Sequence, residues 1–159
     1  MANRYKTSDI PNISKRKMFF DANAMIYIYW PTTPNNDESK QYSNMLNMLL
    51  HQKNKLAIST SVISEIVNRV IKIEYEKKGG YKKIGALKKF RDSNDGKSLL
   101  NNIYSIIENK IFLSFNVSDK KFNKTEVKKM LKTDSLDFND KIIFEICKKN
   151  NFILITHDA

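Results

Sequence analysis

Short apolar runs alternate along this chain with longer stretches of helical periodicity, and the alternation predicts an architecture. Met18-Phe19-Phe20-Asp21 reads as a buried strand running into a turn, and Leu56-Ala57-Ile58-Ser59 as a second. Residues 22–30 are apolar and aromatic, with a period that fits strand or helix; Pro31 and Pro34 end them. Over 39–51 the apolar positions Tyr42, Met45, Leu46, Leu49 and Leu50 recur at helical spacing. A clear amphipathic helix follows over 60–78, with Val62, Ile66, Val70 and Ile73 on one side and Ser59, Thr60 or Ser61 as its cap. Gly79-Gly80 stops it.

Two further helices are expected over about 81–91 and 97–110, then a strand within 111–117 and a short basic helix over 125–131. The pattern closes with a helix over 137–149, a polar turn at Asn150-Asn151 and a buried strand over 152–156. Strands alternating with helices predict one α/β domain, a three-layer α/β/α arrangement around a mainly parallel sheet. Residues 1–17 are expected to form a basic N-terminal extension and residues 72–110 an extra helical insertion.

Composition narrows the function. One cysteine, Cys147, excludes an intramolecular disulfide framework and fits a reducing compartment. With His51 and His157 the only histidines, a zinc-type cluster is excluded as well. Apolar runs fall short of the roughly 18 to 20 residues that span a bilayer, and the first 17 residues hold no signal-like stretch, so a cytoplasmic location is expected. The net charge of +11 suits a polyanionic partner such as RNA, although lysines scattered over helix faces also serve solubility.

Four acids fall at informative places. Asp21 and Asp158 follow strands, and Glu65 and Asp140 sit near helix starts, so a parallel sheet would bring all four to the edge where such folds bind ligands. Each has an ordinary alternative. Asp21 is also placed to start a turn or cap a helix, and Glu65 to sit favourably near the positive end of a helix dipole. Asp140 shares a stripe with Leu136, Ile143, Phe144 and Cys147, the face expected to be buried, unless Asp137 is a cap that tolerates an acid three positions on. His157 points away from Thr156 and Asp158 along the strand and is expected to have no role. Two carboxylates about 4 Å apart repel by roughly 4 kcal/mol at an effective dielectric near 20. A divalent cation relieves that repulsion, and all-oxygen ligands suit Mg²⁺ or Mn²⁺. An acid cluster in a basic chain points to phosphodiester chemistry.

Phe20-Asp21-Ala22-Asn23 resembles the opening motif of PIN-domain nucleases. Ser61-Val62-Ile63-Ser64-Glu65-Ile66 resembles their second motif, Asp137-Phe138-Asn139-Asp140-Lys141-Ile142-Ile143 their third, and Ile153-Leu154-Ile155-Thr156-His157-Asp158 their closing one. The ordered set spans the chain from Met18 to its end. The resemblance implies a Mg²⁺- or Mn²⁺-dependent endoribonuclease in which Asp21, Glu65, Asp140 and Asp158 form the acidic constellation. Asn23 and Thr156 would orient the first acid or its water, and Asp137 would be an auxiliary acid beside the metal. Many bacterial members of this size are VapC-type toxins, neutralised by an antitoxin protein and often homodimeric.

Two features depart from the pattern. The helical stretch over 72–110 is longer than in the smallest toxins, and its Lys77, Lys78, Lys82, Lys83, Lys88, Lys89, Tyr81 and Phe90 fit either RNA contact or a solvated face over core aromatics. The chain stops at Ala159, where the family continues, so truncation is expected. A haloacid-dehalogenase-type phosphatase needs a second aspartate at position 23, where Asn23 cannot deliver a proton. The alternative from another class is a non-catalytic PIN-like module that binds RNA or protein.

Overall fold

The computed structural model describes residues 5–31, 37–79 and 85–157. A 3₁₀ helix, Thr7–Asn12, leads into strand β1 (Lys17–Phe20) and helices α1 (Ala22–Tyr29) and α2 (Asp37–His51). Strand β2 (Lys55–Ile58) precedes α3 (Thr60–Lys77), α4 (Ala86–Asp92) and α5 (Asn94–Ile106). A π-helical turn, Ile107–Ile111, and α6 (Phe112–Ser114) lead to β3 (Phe115–Val117). Then come α7 (Lys124–Met130), α8 (Phe138–Asn150) and β4 (Ile153–Ile155).

The four strands form one sheet in the order β3-β2-β1-β4, and every pairing is parallel. Met18 stands beside Leu56 on one side and Ile153 on the other, which makes β1 a central strand. Its Met18, Phe19 and Phe20 are fully buried, as the unbroken apolar run requires of a strand covered on both faces. Burying each such side chain contributes about 1.5–3 kcal/mol before entropy is counted.

The chain moves one way from β1 to β2 to β3 and then returns across the sheet to β4. Right-handed crossovers therefore put α1 to α5 on one face and α7 and α8 on the other, giving three layers. The same order reverses direction between β1 and β4. Open parallel sheets have their crevice at such a reversal, beyond the carboxyl ends of the strands.

Several local outcomes differ from the pattern. The ambiguous stretch after β1 is helix α1, because the Asp21 side chain caps it and opens a helical turn. The strand expected within 111–117 shortens to Phe115–Val117. The π turn before it keeps both Ile107 and Ile111 buried, so the apolar residues at its start serve a helix. In the N-terminal stretch, Ile10 and Ile13 are buried in the core. Gly79, at φ 77°, takes the left-handed position after α3, while Gly80 lies outside the described residues. Among the described residues no helix is long and apolar enough to cross a membrane.

The corner between α4 and α5 sets a sharp steric condition. A Cβ built on Gly96 would lie 1.9 Å from the carbonyl oxygen of Phe90, which is backbone. Gly96→Ala is therefore expected to lower the unfolding free energy by about 1–3 kcal/mol through forced displacement. Urea denaturation measures it; an unchanged midpoint would mean that the two helices do not approach this closely.

Candidate functional site

The crevice between β1 and β4 is built from the first residue beyond each strand. The Asp21 amide donates to the Ile155 carbonyl at 3.0 Å, extending the β1–β4 pairing by one step. This fixes the Asp21 side chain, which is buried and capping α1: one oxygen accepts from the Ala24 amide at 3.0 Å. Its other oxygen accepts from the Thr156 hydroxyl, just past β4. A carboxylate aimed at a helix N-terminus and a hydroxyl is stabilised in its charged form. The capping alternative and the expected Asp21–Thr156 partnership thus coexist in one side chain.

Glu65 approaches from α3. Ser59 caps that helix through its hydroxyl, which accepts from the Val62 amide at 3.2 Å, so Glu65 lies beyond the first turn and gains little from the dipole. It is held by side chains instead. Asn139, at the start of α8, donates to one Glu65 oxygen at 2.7 Å, and Arg69 pairs with the other at 3.5 Å, one helical turn further along α3. Arg69 also donates to the side-chain oxygen of Asn23. One guanidinium thereby joins the first and second motifs.

The electrostatics of Glu65 reveal its neighbours. Burial pushes its carboxyl above the ordinary value; Arg69 pulls it down, and the charges of Asp21 and Asp137 push it up. The charges of Asp21 and Asp137 thus reach Glu65 at this edge of the sheet, where such folds place their ligands.

Asp137 and Asp140 divide the third motif. Asp137 is the cap of α8, its oxygen accepting from the Asp140 amide at 2.8 Å. Asp140 follows on the partly buried side of the helix. The stripe expected to bury it is narrower than its pattern suggested: Ile143 and Cys147 are buried, but Leu136 and Phe144 are each 50% exposed. Burial pushes the Cys147 thiol up to about 12, which makes it an inert core group.

Among the described residues no three carboxylate, histidine or cysteine side chains gather closely enough to hold an ion, and Asp158 lies outside them. Asp21 is engaged by Ala24 and Thr156, Glu65 by Arg69 and Asn139, and Asp137 by the Asp140 amide. Hard oxygen donors of this kind fit Mg²⁺ or Mn²⁺ chemically.

Pattern reading missed Arg69 and Asn139. Arg69 was legible as the i+4 partner of Glu65, and Asn139 lies inside the third motif; neither carries the acid that drew attention there. Asp119, just beyond β3, is a further strand-end acid, but it accepts from the Thr60 amide and hydroxyl, both at 3.1 Å, and serves as a second cap of α3. In the helical stretch, Phe90 packs on the core and against Tyr75, with rings 5.1 Å apart, and Lys78 lies over its ring. That is the core-aromatic alternative. Tyr81, Lys82 and Lys83 lie outside the described residues.

Asp21→Ala is expected to destabilise the fold by about 1–2 kcal/mol, the usual cost of a lost helix cap. Asp21→Asn keeps an oxygen for Ala24 and should cost less than half as much. Thermal unfolding of both variants measures this, and equal losses would show that the cap is not what Asp21 supplies. Comparisons with models of protein families, with curated proteins and with solved structures find nothing that matches this chain.

Proposed function

We propose that this chain is a divalent-metal-dependent endoribonuclease of the PIN type, hydrolysing RNA phosphodiester bonds. The observation that supports the reading is the linkage of three motifs at the β1–β4 reversal: Arg69 joins Glu65 to Asn23, and Asn139 joins Glu65 to the start of α8. Burial raises the Glu65 carboxyl and the charges of Asp21 and Asp137 add to it, the kind of perturbation that clusters at functional sites.

In this reading Asp21, Glu65, Asp140 and Asp158 would hold Mg²⁺ or Mn²⁺, with Asp137 beside them. The ion, when bound, would supply an acidified water and charge neutralisation at phosphorus. The chain's own groups supply position. Thr156 keeps the Asp21 carboxylate turned into the crevice, and Asn139 orients Glu65. Arg69, whose side chain is 44% exposed, would leave Glu65 and place its guanidinium on a phosphate, which its planar fork of donors matches. The net charge of +11 would draw RNA to the protein. A protein antitoxin and a second copy of the chain are partners that the family resemblance proposes.

A second reading is favoured by one observation, the engagement of Glu65 with Arg69 and Asn139 in place of a gathered carboxylate triad. It makes the chain a non-catalytic module that binds RNA or protein.

A cleavage assay on single-stranded RNA separates the two. Cleavage with Mn²⁺ or Mg²⁺, abolished by EDTA and reduced roughly 100-fold or more by Asp21→Asn and by Asp140→Asn, is the expected result. Binding without cleavage under both ions would replace the nuclease by the module. Cleavage that survives both substitutions would remove the acid mechanism.

A further inference from the structure

The chain leaving β4 is anchored by a residue that neither the motifs nor the proposed chemistry use. His157 lies between two tyrosines of the α1–α2 layer. Its Nδ1 is 2.9 Å from the Tyr42 hydroxyl and its Nε2 is 3.4 Å from the Tyr27 hydroxyl. The rings form one cluster. Tyr27 and Tyr42 are stacked 5.5 Å apart within 8° of parallel, and the imidazole crosses them at 4.6 Å and 5.7 Å between centroids. The preceding residue is Thr156, whose hydroxyl meets Asp21.

We propose that His157 is a positioning residue: its two ring nitrogens, held by Tyr27 and Tyr42, strap the end of β4 over α1 and so keep Thr156 on Asp21. The inference depends on neither RNA nor metal, and it stands or falls apart from the nuclease reading.

Geometry gives the argument its direction. β4 is an edge strand of three residues, paired on one side only by β1, so little within the sheet holds its end. Strand ends and short edges open most readily. A rotating Thr156 would lose the Asp21 oxygen, and the Asp21 amide bond to Ile155 would open with it. An imidazole tied at both nitrogens to two different helices removes that freedom. The two tyrosines are fixed in turn by their ring stacking, and the side chain of Glu38 hydrogen-bonds the Tyr27 hydroxyl, raising the tyrosine's pKa. Arg69 also acts on Tyr27, which brings the strap beside the Asn23–Arg69–Glu65 bridge.

Amide hydrogen exchange followed by NMR, with no RNA or metal present, tests the strap at the Asp21 amide. In His157→Ala that amide should exchange roughly tenfold faster, the effect of losing two ordinary hydrogen bonds, while Phe19 and Ala57 amides keep their rates. The double variant Tyr27→Phe/Tyr42→Phe keeps the stacked rings and lacks only the hydroxyls, so it should loosen Asp21 as much. His157→Gln, which retains a donor and an acceptor, should recover most of the protection. Wild-type exchange at Asp21 in either His157→Ala or the double variant would overturn the proposal. So would an equal rise at Phe19 and Ala57, which would mark a general loss of stability.

Discussion

Like charges meeting at one edge of a parallel sheet are the constraint on which this structure turns. Parallel strands end together, and the helices that follow them begin together, so side chains distant in sequence arrive at the same crevice. Where those side chains are acids, the fold must supply counter-charge or lose stability. Here it does so three ways. Asp21 and Asp137 sit at helix starts as caps, Thr156 and Asn139 donate hydrogen bonds, and Arg69 pairs with Glu65.

Part of the counter-charge to Glu65 is internal. Arg69 already stands beside Glu65, one turn along the same helix, and reaches Asn23 as well. The pair is partly exposed, and exposed ion pairs contribute little net stability.

Much of this was legible in the chain. Unbroken apolar runs at Met18–Phe20 and Leu56–Ile58 mark covered strands, and the second leads directly into the helix of Glu65. Where legibility failed, tertiary placement had overridden pattern. Residues 22–29 read equally as strand or helix until the Asp21 cap decided for helix. Ile111 looked like a strand residue because it is apolar, whereas a π turn buries it. Phe144 and Leu136 share helical spacing with Cys147 yet stand outside the core, because spacing cannot tell where a covering layer ends. Acids announced themselves by type and position. Their partners did not: Arg69 read as one more surface cation, and His157 as a residue pointing away, until α1 and α2 were in place to receive it.

The central claim is that Asp21 and Glu65 feel one another across the crevice. It is tested most directly by following the Glu65 side-chain carboxyl by NMR through an acid titration of the wild-type protein and Asp21→Asn. A raised native pKa means that the folded state binds the proton more tightly than the unfolded one, so stability falls as pH rises from the ordinary 4.5 through the native value. Glu65 should therefore titrate above 4.5 in the wild type and move downward in Asp21→Asn, where one repelling charge is gone. Titration at the ordinary value, or an identical midpoint in both proteins, would contradict a shared acidic site.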